Sequence, residues 1–500
     1  MKLLTAEQIR KLDLATIEKE PIASIDLMER AASRCADWFS LRYPRKKFAI
    51  VCGTGNNGGD GLAIARMLYR RDCDVEVYVL GNPKEGSADF IVNHDRLEEI
   101  EEFKIYTLDE ESHLLSIDHQ RIMIDAVFGT GLTRPVEGWR ADVFQLINEI
   151  PNPVVAIDIP SGLFSEQWES NTNLVIRAQH TLSFQMPKLS FLFAENYAHT
   201  GEVHILNIGL DRESQKNVDS PFHLTAISDA RTLIQYRKAF EHKGSRGMAQ
   251  LFGGSQGTMG AALLMTRAAL RSGCGLVIAH IPAIGLDILQ TGAPAAMASV
   301  DSNRSHVTEF PVHEKTTAIA IGPGLGKDTD TADALLEFIE GNELPIVLDA
   351  DALNILAEHG SELLKLKPNT ILTPHAREFD RLFGDHENSF DRFRTLQLKA
   401  QELDIIIVLK GAYTRVALPD GTVHFNESGN PGMAKGGSGD VLTGLICGLL
   451  AQGYSTHVAA RMGVFIHGLS GDKAASYLSK NAINAEDLVD FLPNAWREVE

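Results

Sequence analysis

Cysteine is scarce in this sequence: the 500 residues contain five, Cys35, Cys52, Cys73, Cys274 and Cys447. The number is odd, the spacings are wide and no CxxC occurs, which argues against a disulfide framework or a cysteine-based zinc site. Cys52 and Cys274 sit in apolar or glycine-rich surroundings and read as small buried hydrophobes. Positive charge is in deficit: 47 Lys and Arg against 66 Asp and Glu leave a formal net charge of −19. Such a surface opposes nonspecific attraction to nucleic acid or anionic lipid, yet leaves room for a local basic pocket that takes a phosphorylated small molecule. Low-complexity segments and short-period repeats are absent. The opening MKLLTAEQIRKLDLATIEKE meets charge too soon to hold a signal-peptide apolar core. One long uncharged stretch, residues 441–460, carries Gly444, Gly448, Gln452, Gly453, Ser455, Thr456 and His457. It reads as a buried helix and its exit loop, not a membrane span. The expectation is a cytoplasmic protein.

What is present is an ordinary globular balance, 44% hydrophobic and 23% charged. The length suits roughly two to four domains of about 150 residues. Two α/β halves are visible. In the first, apolar strands at 48–52, 75–80, 121–125 and 154–158 alternate with amphipathic helices at 58–71 and 139–150, and later strands follow at 181–184 and 203–208. This alternation predicts a parallel, doubly wound sheet. Residues 211–223, DRESQKNVDSPFH, are polar and without periodicity, and are expected to be the linker between domains 1–215 and 224–500. The second half begins again with strands at 249–252, 276–281, 317–321, 346–349, 370–372 and 405–409, and a helix at 258–272. Strands at 416–418 and 423–425 flank Pro419-Asp420-Gly421, a hairpin signal.

Gly53-Thr54-Gly55-Asn56-Asn57-Gly58 fits G-x-G-x-x-G between a strand and a helix. The usual dinucleotide fingerprint also needs an acidic residue at the end of the second strand. Asp72 and Asp74 precede that strand, so the conventional reading is weak. The distinctive text is Asn56-Asn57-Gly58-Gly59-Asp60-Gly61. Backbone amides at a helix start bind anions, and two Asn and an Asp offer oxygens to a hard cation; the plainer alternative is a capped helix with turn glycines. Asp125 and Asp158 each end a strand. The first precedes Gly129-Thr130-Gly131-Leu132-Thr133-Arg134-Pro135 and the second precedes Ile159-Pro160-Ser161-Gly162. Ligands of open α/β sheets bind at the carboxyl ends of strands, so these loops are expected to share one pocket. Arg134 is either a phosphate partner or a solvated surface Arg.

NNGGDG, DAVFGTGLTRP and DIPSGL, in this order over residues 1–210, resemble the NAD(P)H-hydrate epimerase domain. The resemblance implies a potassium ion on Asn57, Asp125 and Ser161. It implies a hydrated nicotinamide nucleotide along Asn56, Asn57, Gly58, Gly59 and Asp60 and along Gly129, Thr130, Gly131, Leu132, Thr133, Arg134 and Pro135. Asp158 would be the acid/base at the hydrated ring carbon.

In the second half, Asn430-Pro431-Gly432-Met433-Ala434-Lys435-Gly436-Gly437-Ser438-Gly439-Asp440 runs into the apolar helix. Its glycines let backbone amides converge on a phosphoryl group, and Asp440 is placed to take a hydroxyl proton. No Walker loop occurs here. Gly-x-Gly-Asp before an apolar helix resembles the ribokinase-like kinases. With GPGLG from Gly322, LDADALN from Leu348, TPHAREF from Thr373 and LKGAYT from Leu409, the half resembles the NAD(P)H-hydrate dehydratase branch of that superfamily, over residues 224–500. This implies an α/β/α sandwich that uses ADP or ATP, with magnesium. Nucleotide contacts would fall on Lys410, Gly411, Ala412, Tyr413, Thr414 and Gly439, and hydrate contacts on Ala261, Gly324, Gly326, His375 and Asp440. Lys435 either adds a phosphate contact or faces solvent.

The two resemblances join in one chemistry. The first half would interconvert the R and S hydrates of NADH and NADPH. The second would phosphorylate the hydroxyl of the S-hydrate and eliminate phosphate. A homo-oligomer is expected. The rival expectation is a ribokinase-like small-molecule kinase fused to a nucleotide-binding scaffold domain.

Overall fold

The computed structural model describes residues 1–112, 117–166 and 174–500. It falls into two compact units, Lys2–Ser220 and Pro221–Glu500, the latter with Met1.

The first unit is built on a seven-stranded sheet. Its strands are β1 (Lys47–Cys52), β2 (Asp74–Leu80), β3 (Lys104–Leu108), β4 (Arg121–Ala126), β5 (Val154–Ile157), β6 (His180–Phe184) and β7 (Glu202–Leu206), in the order β3-β2-β1-β4-β5-β6-β7. Every pairing is parallel. Alternation along β1 shows the double winding. Phe48, Ile50 and Cys52 pack with helices Ser24–Arg42 and Asn56–Tyr69, whereas Ala49 and Val51 pack with Val143, Phe144 and Ile147 of helix Trp139–Glu149. Burial on both faces is why the central strands read as continuous apolar runs. The connection order reverses at β1, which pairs with both β2 and β4, so a crevice opens there at the carboxyl ends.

The second unit carries a ten-stranded sheet, β11-β10-β9-β12-β13-β14-β15-β16-β17-β8. The strands are β8 (Phe222–Thr225), β9 (Met248–Phe252), β10 (Leu276–Ile281), β11 (Met297–Val300), β12 (Ala318–Ile321), β13 (Ile346–Leu348), β14 (Thr370–Leu372), β15 (Ile406–Leu409), β16 (Arg415–Ala417) and β17 (Val423–Asn426). Strands β9 to β15 run parallel; β15, β16 and β17 pair antiparallel. The hairpin turns at Gly421, whose φ of +85° is left-handed. Helix Ser438–Ala451 is apolar on all sides because it is enclosed: Val441 to Ala451 are all buried. A side chain on Gly444 would meet the Met265 carbonyl of helix Met259–Arg271 at 1.9 Å.

Residues 211–223 differ from the expected plain linker. Asp211 caps a short helix, Arg212–Asn217, by accepting from the Ser214 amide at 2.7 Å. Phe222 then opens β8, which pairs with β17. The helix is too short to show an apolar stripe, and β8 is an edge strand. The sequence reading also passed over β3 and β11, half-exposed edge strands without a continuous apolar run. Among the described residues no helix is long and apolar enough to cross a membrane.

Candidate active sites

In the first unit three loops meet at the carboxyl ends of β1, β4 and β5. Gly53 and Gly58 set the first. A Cβ on Gly58 would lie 1.7 Å from the Gly53 carbonyl oxygen, and one on Gly53 would lie 2.2 Å from that of Val127. The helix can therefore begin this close to the strand only with glycine at both positions. The first-turn amides have no intrahelical acceptor, which leaves them free to bind an anion. Gly58 and Gly59 are buried, and Gly59 backs onto the Met28 thioether, so they can offer a ligand only their backbone.

Asp125, at the end of β4, is buried and tightly held. Its Oδ1 accepts from Ser161 Oγ at 2.6 Å and its Oδ2 from the Ser161 amide at 2.8 Å. Burial pushes its carboxyl up to about 6, partly offset by those Ser161 bonds. Asn57 is buried beside Gly129, and neither its Oδ1 nor its Nδ2 has a protein partner. A buried amide is rarely left so. An amide oxygen, a carboxylate and a hydroxyl make a hard-oxygen donor set, so these residues fit a potassium-class cation.

Asp158 follows β5 in left-handed backbone, φ +65°, a conformation uncommon for a residue with a side chain. Its amide donates to the Leu182 carbonyl at 2.7 Å. Oδ2 accepts from the Thr130 amide at 3.3 Å, and Oδ1 lies 3.0 Å from Lys188 Nζ, which is almost wholly buried. Around this pair lie Asp13 and Asp60. Burial and the Asp158 charge push Asp13 up to about 7, and the same causes raise Asp60 well above the carboxylate range. The loop beyond, Gly131, Thr133, Arg134 and Pro135, is exposed, with Leu132 half-buried.

In the second unit the site also lies at strand ends. Asp349 follows β13 and is fully buried. It accepts from Lys410 Nζ at 2.6 Å and from Thr443 Oγ1 at 2.7 Å. Burial raises its carboxyl, but Lys410 and the hydroxyls outweigh that and hold it below the usual range. Lys410 Nζ also lies 3.8 Å from Glu378 Oε2. Gly439 faces this pair: a Cβ there would sit 3.1 Å from Lys410 Nζ. Gly437, φ +90°, turns the chain into helix Ser438–Ala451, whose first turn carries Asp440. Burial, then the Asp349 charge, pushes the Asp440 carboxyl up to about 7 against the pull of Lys410.

The expected hydrate residues lie on neighbouring loops and helix starts. Gly324, φ +65°, abuts the Ala261 methyl, and its carbonyl accepts from Thr258 Oγ1 at 2.8 Å. The Gly326 amide donates to Asp351 Oδ2 at 2.9 Å. His375 caps helix Ala376–Phe383: its Nδ1 accepts from the Glu378 amide at 3.1 Å, and its ring is half-exposed. It bridges in backbone to Lys410. Gly411, Ala412 and Tyr413 form an exposed turn closed by Thr414 Oγ1 on the Gly411 carbonyl at 2.9 Å. Lys435 is exposed, the second of its two expected readings, and donates to the Asn481 carbonyl at 2.9 Å.

Sequence reasoning missed several partners. Lys188 lies in FQMPKLS, far from any motif, and its proximity to Asp158 comes from tertiary packing. Arg10 and Asp13 sit on helix Ala6–Lys19, whose text gives no hint of a pocket; Arg10 approaches Gly131 and Asp13 approaches Asp158. Asp349 and Glu378 did lie in quoted motifs, and a strand-end carboxylate opposite a strand-end Lys was the available signal for their pairing with Lys410.

Residues 249–494 match the family described as NAD(P)H-hydrate dehydratase, and residues 24–190 match the one described as YjeF-related protein N-terminus. The bifunctional NAD(P)H-hydrate repair enzyme Nnr of Moorella thermoacetica is 36% identical, the alignment covering 100% of this chain and 97% of that protein. Its namesake from Thermofilum pendens is 33% identical, covering 99% and 96%. Among solved structures, the ADP/ATP-dependent NAD(P)H-hydrate dehydratase from Bacillus subtilis, co-crystallized with ATP/Mg2+, is 32% identical with a TM-score of 0.50. It covers 56% of this chain and 99% of that one.

Proposed function

This chain belongs to the family of bifunctional NAD(P)H-hydrate repair enzymes, and on that premise we propose how its residues divide the work. The first unit epimerises the R and S hydrates of NADH and NADPH. The second dehydrates the S-hydrate at the expense of ADP or ATP. The observation that carries this reading is Asp440, half-buried and raised to about 7, at a glycine-opened helix start beside the Lys410–Asp349 pair.

In the second unit Asp440 takes the proton from the substrate hydroxyl as its oxygen attacks the terminal phosphoryl of the nucleotide. The O–P bond to the substrate forms while the bond to the nucleotide's leaving phosphate breaks. The amides of the Gly436–Asp440 turn stabilise charge on the moving phosphoryl. The nucleotide, arriving with magnesium, lies along Lys410, Gly411, Ala412, Tyr413, Thr414 and Gly439. Ala261, Gly324, Gly326 and His375 hold the hydrate. Phosphate then leaves with the electron pair of its C–O bond, a proton is lost from the neighbouring carbon, and the reduced nicotinamide double bond returns.

In the first unit Asp158 moves the proton at the hydrated ring carbon, held in place by Lys188 and the Thr130 amide. Protonated by Asp158, the hydroxyl leaves as water with the electron pair of its C–O bond while the ring nitrogen's lone pair forms a C=N bond; water then adds from the opposite face, gives its proton back to Asp158, and the centre is inverted. Asn57, Asp125 and Ser161 would hold potassium, which supplies charge stabilisation to the bound nucleotide. The Gly129–Pro135 loop, exposed at Thr133, Arg134 and Pro135, carries the phosphates, with Arg134 toward them. The acidic surface is consistent with free nucleotide substrates rather than nucleic acid or membrane partners.

The test is incubation of the purified chain with hydrated NADH and either nucleotide, following the reduced-nicotinamide absorbance. Recovery with release of inorganic phosphate is expected. A stable phosphorylated product with no regained absorbance would instead identify a conventional kinase. Asp158→Ala should slow epimer exchange by about 10²–10⁴-fold and spare dehydration of the S epimer; Asp440→Ala should do the reverse.

A further inference from the structure

We propose that His180, Glu202 and His204 form a binding site for a divalent transition-metal ion of the zinc class, separate from the crevice at the other end of the same sheet. His180 opens β6 and Glu202 opens β7, and the two are direct register partners. His204 lies two residues along β7, hence on the same face as Glu202. The three side chains thus gather at the amino ends of parallel strands, whereas Asp125, Asp158 and the glycine loop lie at the carboxyl ends.

The geometry is that of a ligand triangle. His180 Nδ1 and His204 Nε2 are 3.1 Å apart, and Glu202 Oε2 lies 3.4 Å from the first and 3.9 Å from the second. Donors bound at about 2.0–2.2 Å in a tetrahedral zinc shell stand about 3.3–3.5 Å from one another. A cation can therefore be seated with shifts of a few tenths of an ångström. Without one, the two rings share a single proton between Nδ1 and Nε2. If His204 Nε2 carries the shared proton, the His180 Nδ1 lone pair faces a carboxylate oxygen. If His180 Nδ1 carries it, one proton serves two acceptors. A metal ion in the triangle satisfies all three lone pairs.

The surroundings suit neutral imidazoles. His180 is buried, His204 is half-buried, and Trp38 packs on both rings with centroids at 5.4 and 5.0 Å. Both rings are withdrawn from water, and the Arg42 charge lies near them. Arg42 also opposes a second cation, and the Glu202 carboxylate offsets it. Glu202 is the most exposed of the three, its side chain 64% accessible, so the ion has an entry path and a fourth position for water. Two imidazoles and one carboxylate favour zinc, cobalt or nickel over magnesium or calcium. Bound there, the ion ties edge strand β7 to β6.

The test uses the full chain, stripped with a chelator that is then removed, and free of nucleotide. One equivalent of Co2+ should produce the visible bands of a four-coordinate ion, and Zn2+ should raise the melting temperature. His204→Gln should weaken Zn2+ binding by about tenfold or more in calorimetry and abolish the bands, with Glu202→Gln losing less. Circular dichroism checks that both variants fold, and Glu202→Gln, exposed, preserves the test should His204→Gln not fold. Equal binding by the wild type and both variants would overturn the proposal, since the ion would then sit elsewhere, for example at His94, Asp95 and Glu98. So would a wild type that takes up neither ion.

Discussion

At the scale of single residues, the protonation of Asp440 is the controlling quantity for the second unit. A general base works when deprotonated, and this carboxyl is raised to about 7, chiefly by burial and then by Asp349. Dehydration is therefore expected to rise with pH through about 7, read as kcat/KM against pH. Asp349→Asn removes one of the charges that raises Asp440, so the acidic limb should move to lower pH even as the rate falls. An unmoved limb would mean that another group governs it. In the first unit Asn57 is the telling residue, buried with both polar atoms unpartnered. Asn57→Leu should remove any potassium response of epimer exchange and leave S-hydrate dehydration unchanged; a response that survives would put the cation elsewhere. Asn57, Asp125, Asp158 and Asp440 were legible as chemistry because each stands at a strand end or helix start in unusual text. Lys188 and Asp13 were not, because what makes them part of the site is proximity across the fold.

At the scale of elements, both units depend on close approaches of a helix that only glycine permits, at the start of Asn56–Tyr69 and midway along Ser438–Ala451. Gly58 touches the Gly53 carbonyl, and Gly444 touches the Met265 carbonyl. Gly58→Ala should therefore destabilise the first unit by about 1–3 kcal/mol or more, seen as a lower denaturation midpoint, and slow epimer exchange. A variant as stable as the parent would show that the junction can relax. The central strands were readable because both faces are buried and the apolar run is unbroken. Edge strands β3 and β11 escaped because about half their residues face solvent, β8 because its four residues are too few to show an apolar run, and the capped helix after Asp211 because it is polar throughout.

At the scale of the whole molecule, two compact units each carry a complete sheet and a crevice of their own. The solved dehydratase that resembles the second unit is matched over 99% of its own length. Residues 221–500 expressed alone should therefore dehydrate the S-hydrate and leave the R-hydrate behind, as resolved by chromatography of the mixture. Adding residues 1–220 separately should consume the remainder, and failure of the isolated second unit to act would mean that its site needs the rest of the chain. The alternation of strands and helices, the two-fold restart of the pattern and the motif loops were determined by the sequence alone, because periodicity and glycine spacing are local properties. Which carboxylates become hard to ionise, which lysine faces which aspartate, and which histidines meet across β6 and β7 were decided only by the tertiary structure. Desolvation and Coulomb interaction depend on distance in space, and the chain brings together groups far apart along its length.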